Sequence, residues 1–296
     1  SACEAAYELG LQGKHPMIVE YANDLIVTPG TCLANASFLR EMLASVLLQT
    51  YRNWELCIAD GSDGAHPYTQ KICGGLAAAD RRVKYVKLER NLGISGNTNA
   101  CLDLAAGDYI SLFDHDDLLH PSALYETAMA VRGCGAEMVY TDEAAFRSPD
   151  LHDIAFIHFK RDFSQELLES INYICHFTSF RRSLLEGLRF DPECDGAQDF
   201  DIILKVTERT RKVAHVKKCL YYWRASPAST AGGASAKPYT TEAGKRALEK
   251  HFGRTGEDAV VCPAAHPNQY RIRYADRNKK GARAETSFVI RRGKVF

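Results

Sequence analysis

Up to about residue 113 the chain alternates short apolar runs with helix-length amphipathic stretches. Asp24–Thr28, Glu55–Ala59, Val83–Leu88 and Tyr109–Phe113 have the length and residue types of strands. Between them Phe38–Leu48, Tyr68–Ala79 and Ser95–Ala106 have helical spacing. A β-α-β-α-β-α-β order with short connections predicts an α/β fold with a mostly parallel central sheet, helices on both faces and one Rossmann-like domain. Ligands of such sheets gather beyond the carboxyl ends of the strands, so the chemistry is sought just after each strand.

From about residue 140 the alternation loosens. Asp142–Phe163 reads as polar and irregular, Ser164–Glu169 and Asp199–Arg209 as helices, Leu220–Arg224 as an aromatic strand, and Pro238–Phe252 as a helix with proline in its first turn. Ser226–Lys237, rich in Ser, Ala and Gly, reads as a loop, and the tail from His266 is basic without clear periodicity. The expected division is a lead-in at 1–23, a domain at 24–255 with a nucleotide-binding half (24–141) and an acceptor-binding half (142–255), and an extension at 256–296.

Lys and Arg number 37 and Asp and Glu number 37, so no basic excess exists to hold a nucleic acid backbone. No apolar run approaches the roughly 18 residues of a spanning helix. That predicts a cytoplasmic protein, with the inner face of the membrane as the alternative. The ten cysteines form no C-x-x-C pair, which argues against structural zinc and for free thiols in a reducing compartment.

The carboxylates follow the strands. Asp114-His-Asp-Asp117 comes after Tyr109–Phe113, and Asp114 and Asp116 at a strand end suit Mn²⁺ or Mg²⁺ together with a nucleotide diphosphate. The alternative is an acidic turn capping the next helix. Asp60 ends the second strand, where it could accept the imide N–H of uracil or thymine, or simply form an Asp-Gly turn. Asn91, Gly93 and Asn99 belong to a strand-to-helix loop open to a nucleotide, although small polar residues occur in any such loop. Asp199 stands near a helix start, placed as a base toward a substrate hydroxyl or as a cap. Gln198 beside it and Trp223 are candidates for acceptor contact, and Arg224 for the diphosphate.

In order, Ser45–Leu56, Ala59-Asp-Gly-Ser62, Asn91–Ser95 with Thr98-Asn99, Phe113–Leu118, Asn172–Phe177, Gly196–Asp201 and Tyr221–Arg224 closely resemble the family 2 glycosyltransferases of the GT-A fold. The resemblance covers about residues 24–252. It implies inverting transfer of a sugar from a UDP- or dTDP-sugar donor, with Mn²⁺ or Mg²⁺, to a glycan or lipid-linked acceptor in bacterial surface polysaccharide synthesis. It further implies that Asp60 contacts the base, Asp114 and Asp116 the ribose and metal, and Asp199 acts as the catalytic base. Members often carry two modules in tandem, and Tyr270–Tyr274 through Ser287–Ile290 looks like the lead-in to a second. In the family the first strand ends in Pro-x-Tyr-Asn, which helps seat the base. Here Pro29 matches while Thr31 stands at the Tyr position, so a module that binds sugar nucleotide or glycan without chemistry is the alternative. A nucleotidyltransferase would need a Gly-rich basic loop, which Pro29–Asn35 does not supply.

Overall fold

The computed structural model describes residues 16–22, 32–64, 66–147, 151, 153–225 and 238–274. Strands β1 (Pro16–Ala22), β2 (Leu56–Asp60), β3 (Val83–Lys87) and β4 (Tyr109–Leu112) alternate with helices α1 (Cys32–Leu47), α2 (Pro67–Ala79) and α3 (Gly93–Leu104). The chain continues through β5 (Leu118–Leu119), α4 (Ala123–Cys134), β6 (Met138–Phe146), β7 (Ile154–His158), α5 (Gln165–Ser170) and β8 (Thr178–Arg181). It closes with α6 (Gln198–Arg209), β9 (Val213–Arg224), α7 (Pro238–Thr255), β10 (Ala259–Pro263) and β11 (Tyr270–Tyr274).

The central sheet runs β3-β2-β1-β4-β8-β6-β9-β5, with β7 on β6. β3, β2, β1 and β4 are mutually parallel, as the alternation predicts. β8 enters antiparallel to both β4 and β6, while β6 and β9 are parallel to each other, so this part of the sheet is mixed. Side-chain alternation along β2 shows why helices cover both faces. Leu56 and Ile58 join a core with Met42, Leu43 and Val46 of α1 and Leu124 of α4, whereas Cys57 and Ala59 join one with Cys101 of α3, Ile203 of α6 and Leu248 of α7. Cys57, Cys73, Cys101 and Cys194 are buried free thiols, acting as small hydrophobes.

Three stretches differ from what the sequence pattern predicts. A strand at 16–22, ahead of the expected Asp24–Thr28, pairs with both β2 and β4 at the centre of the sheet. The 142–163 stretch is irregular only in part. Its first residues continue β6, whose nine residues are all buried, with β9 on one side and β8 then β7 on the other, and 154–158 form β7. Thr141, Asp142 and Glu143 hide this strand in the sequence, yet each finds a bonding partner inside. Part of the expected C-terminal extension also belongs to the folded body. β10 and β11 form an antiparallel hairpin whose Val261 and Tyr270 enter the α6–α7 core. Expectations on Asp24–Thr28, Pro29, Thr31, Ser226–Lys237 and Ser287–Ile290 lie outside the described residues. Among the described residues, no helix is long and apolar enough to cross a membrane.

Candidate active site

Beyond β4 the three acids separate by role. Asp117 turns inward and is buried, accepting a bond from the Tyr221 hydroxyl at 2.5 Å and one from the Arg224 amide at 2.7 Å. Burial, then the charges of Asp116 and Asp114, hold its carboxyl well above the ordinary carboxylate range. It fastens β9 to the acid loop. Asp114 and Asp116 stay partly exposed, and Asp114 Oδ2 lies 3.4 Å from His176 Nε2. Asp114 and Asp116 are the carboxylates of this loop that could offer oxygens to a hard divalent cation. Elsewhere, ligand atoms of Asp191, Cys194 and Asp201 lie within 4.8 Å of one another. There the Lys250 and Lys205 ammonium groups already bond Asp191 and Asp201, each at 2.5 Å.

His176 is the centre of the arrangement. Its ring stacks on Tyr221 at 4.8 Å, with Glu143 Oε2 3.6 Å from its Nδ1. Burial disfavours the imidazolium, but the Cys175 sulfur, Asp114 and Glu143 outweigh it and raise the His176 pKa well above the ordinary value. Glu143 is itself buried. Burial opposes its charge, yet Lys160 at 3.3 Å, with His158 and His176, keeps its pKa below the usual range.

Asp199 lies in the first turn of α6. Its Oδ2 accepts from Asn172 Nδ2 at 2.8 Å and from the Cys175 thiol at 3.2 Å. Burial pushes that thiol up to about 12, so it stays protonated and donates. Cys175 Sγ also lies 3.1 Å from His176 Nδ1. A chain of contacts through Cys175 and His176 thus joins Asp199 to Asp114. The sequence reading brought Asp114 and Asp199 forward and marked the Asn172–Phe177 block without giving Asn172, Cys175 or His176 a role, while Glu143 and Lys160 were not singled out. A polar Asn followed by Cys-His after an apolar pair was the one available signal.

Other expected residues are spent differently. Asp60 is buried at the end of β2 and accepts from the Ser62 amide at 2.9 Å, the Ser62 hydroxyl and the Tyr85 hydroxyl at 2.6 Å. These bonds fix the Gly61 turn, and the Lys87 ammonium lies 3.5 Å from Asp60 Oδ1. The loop before α3 approaches protein rather than standing open. Asn91 Oδ1 accepts from the Gly93 amide and from Asn97, each at 2.9 Å. Gly93 has φ +76°, and a Cβ there would stand 3.0 Å from Asp195 Oδ2, whose carboxylate accepts the Ser95 amide at 3.1 Å. Asn99 clamps both backbone groups of Phe190 at 2.9 Å. Gln198 Oε1 accepts the Gly196 amide at 2.9 Å, closing the loop before α6.

Arg224 faces inward. It is 4% exposed, donates Nη2 to Glu41 at 2.7 Å and Nε to the Asp116 carbonyl at 2.6 Å, and lies over the rings of Phe38 and Phe146. A guanidinium so enclosed supports the acid loop from behind. Trp223 is brought to the site, its ring 6.0 Å from that of His176.

With this geometry in view, the comparisons agree on the class. The chain belongs to glycosyl transferase family 2, whose model matches residues 31–189, more than half of its length. It is 40% identical over 240 residues to protein y4gI of Sinorhizobium fredii, covering 79% of this chain and 26% of that protein. Over 245 residues it is 35% identical to O-antigen biosynthesis protein RfbC of Myxococcus xanthus, covering 81% of this chain and 19% of that protein. The chain therefore spans about a quarter of one relative and about a fifth of the other. Among solved structures, S. aureus TarS in complex with UDP-GlcNAc superposes with a TM-score of 0.61 at 16% identity, over 81% of this chain and 66% of that one. The mannosyltransferase PcManGT of Pyrobaculum calidifontis, in complex with GDP-Man and Mn²⁺, gives 0.53 at 16% identity, over 86% and 70%. At such identities the likeness is one of fold, and the fold is the α/β GT-A type.

Proposed function

We propose that this chain is an inverting, metal-dependent glycosyltransferase module of polysaccharide synthesis, moving a sugar from a UDP- or dTDP-sugar to a hydroxyl of a glycan or lipid-linked glycan. The observation that carries the reading is the contact chain Asp114–His176–Cys175–Asp199, which couples a carboxylate at the donor end of the sheet to one at the start of α6. Asp114 and Asp116 would hold Mn²⁺ or Mg²⁺, which when bound offsets the charge of the diphosphate.

The chain's own groups do the rest. Asp60, buried and with Lys87 Nζ 3.5 Å from its Oδ1, would shape the seat of the base through the Gly61 turn. Asp199, held by Asn172 and the Cys175 thiol, takes the proton of the acceptor hydroxyl as its oxygen attacks the anomeric carbon from the face opposite the diphosphate. An α-linked donor then gives a β-linked product. Trp223 lines the acceptor side. A second module in the full-length protein, as the partial coverage of both relatives suggests, would supply or extend the acceptor.

The test is release of UDP or dTDP from a panel of sugar nucleotides, with Mn²⁺ and candidate oligosaccharide acceptors. The enclosure of Arg224 favours one alternative, a module that binds sugar nucleotide without chemistry. Tight UDP binding with no donor consumed across the panel would establish that alternative.

A further inference from the structure

The face of the sheet that carries Glu143 continues outward past the reacting groups. Ala145, two residues along β6, lies opposite Phe156 on β7 and opposite Trp223 on β9. Because Ala145 is small, the two aromatic rings meet above it edge to face, 6.5 Å apart at 86°. Strand alternation puts His158 on the same face, beside Glu143, with Nδ1 3.1 Å from Glu143 Oε1. The rings of His176, Trp223 and Phe156 therefore form a continuous stair from the Asp114–Asp199 centre to the edge of the sheet. Phe156 is 44% exposed, and the His158 side chain 43%.

An exposed aromatic step costs solubility unless something covers it. A sugar ring offers a C–H face that packs on aromatic rings and hydroxyls that bond an imidazole, which matches this pairing of Phe156 and Trp223 with His158. We propose that Phe156, Trp223 and His158 form an outer acceptor subsite that takes a pyranose unit of a growing glycan, beyond the unit whose hydroxyl is attacked. The proposal rests on the glycosyltransferase reading for its place in the reaction and predicts preference for acceptors longer than one sugar.

The probe is a series of β-linked N-acetylglucosamine oligomers, monosaccharide to pentasaccharide, whose equatorial substituents leave flat C–H faces. Binding is followed by tryptophan fluorescence. Of the two tryptophans, Trp54 is buried under the Arg82 guanidinium, so the signal reports Trp223. Affinity should rise about tenfold from the monosaccharide to the tetrasaccharide. Phe156→Ala should abolish most of that rise, whereas Phe156→Tyr, which keeps the ring, should retain it. An affinity independent of length, equal tetrasaccharide binding by Phe156→Ala, or light scattering showing that a second copy covers Phe156 would each overturn the subsite. UDP binding with Mn²⁺, measured on the same samples, separates the two levels. Glycan binding without UDP binding would leave the subsite standing and remove the glycosyltransferase reading.

Discussion

Arg224 reaches Glu41 across 183 residues of sequence, its Nη2 donating to Glu41 Oε2 at 2.7 Å. The pair pins the end of β9 to α1 while Nε of the same side chain holds the Asp116 carbonyl, so the acid loop is braced from its buried side. Removing one partner leaves the other's charge poorly compensated in a nearly closed site.

Arg224→Ala should therefore lower unfolding stability by about 3 kcal/mol, and Glu41→Gln, at a partly exposed carboxylate, by about 1 kcal/mol. Urea titration measures both. Unchanged stability in Arg224→Ala together with collapse of UDP affinity would put the guanidinium on the diphosphate after all.

Metal and nucleotide should bind together. Calorimetry with UDP is expected to show affinity that rises with added Mn²⁺ and largely disappears in Asp116→Ala. Equal affinity in excess chelator would remove the metal from the site.

Asp199→Asn keeps the shape and the bond from Asn172 while abolishing basicity. Turnover should fall by about two to four orders of magnitude, the usual contribution of a general base, with nucleotide affinity changed only about two- to three-fold. If most turnover survives, another group is the base.

A buried charge cluster away from the site sets a pH dependence of stability. His251 Nδ1 lies 2.6 Å from Glu208 Oε1, and its Nε2 3.6 Å from Glu169 Oε1. Burial opposes all three charges, yet the two carboxylates raise the His251 pKa above 6.5, while His251, with Arg254 and Tyr274, lowers those of Glu208 and Glu169 below 4.5. The raised histidine stabilises fully below its unfolded pKa, and that contribution is lost as pH climbs through the folded value. The lowered glutamates stabilise above 4.5 and lose that contribution as pH falls through their folded values. The deficit of His251→Gln against the unaltered chain, read from urea midpoints, should be larger near pH 6 than near pH 9. A deficit that grows toward alkaline pH would contradict the ion pairing.

Much of the stretch from β2 to β4 is legible in sequence because its physics is local. Leu56 to Ala59 alternate between two cores, and Val83 and Ile110 sit in runs of strand length, so β2, β3, β4 and the helices between them follow from periodicity. The acids at 114, 116 and 199 stand out because strand and helix ends are where such groups act. Only the tertiary structure decided what they touch. β6 escapes a periodic reading because it is buried on both faces and carries Asp142 and Glu143, whose partners His215 and Lys160 come from other strands and loops. The fates of Arg224, Asn99 and Gly93 likewise depend on Glu41, Phe190 and Asp195, each more than ninety residues away in sequence. Spacing along a chain encodes which side of its own element a residue faces. Which distant side chain meets it there depends on how the sheet curls and where β8 and β9 enter, and no local pattern carries that information.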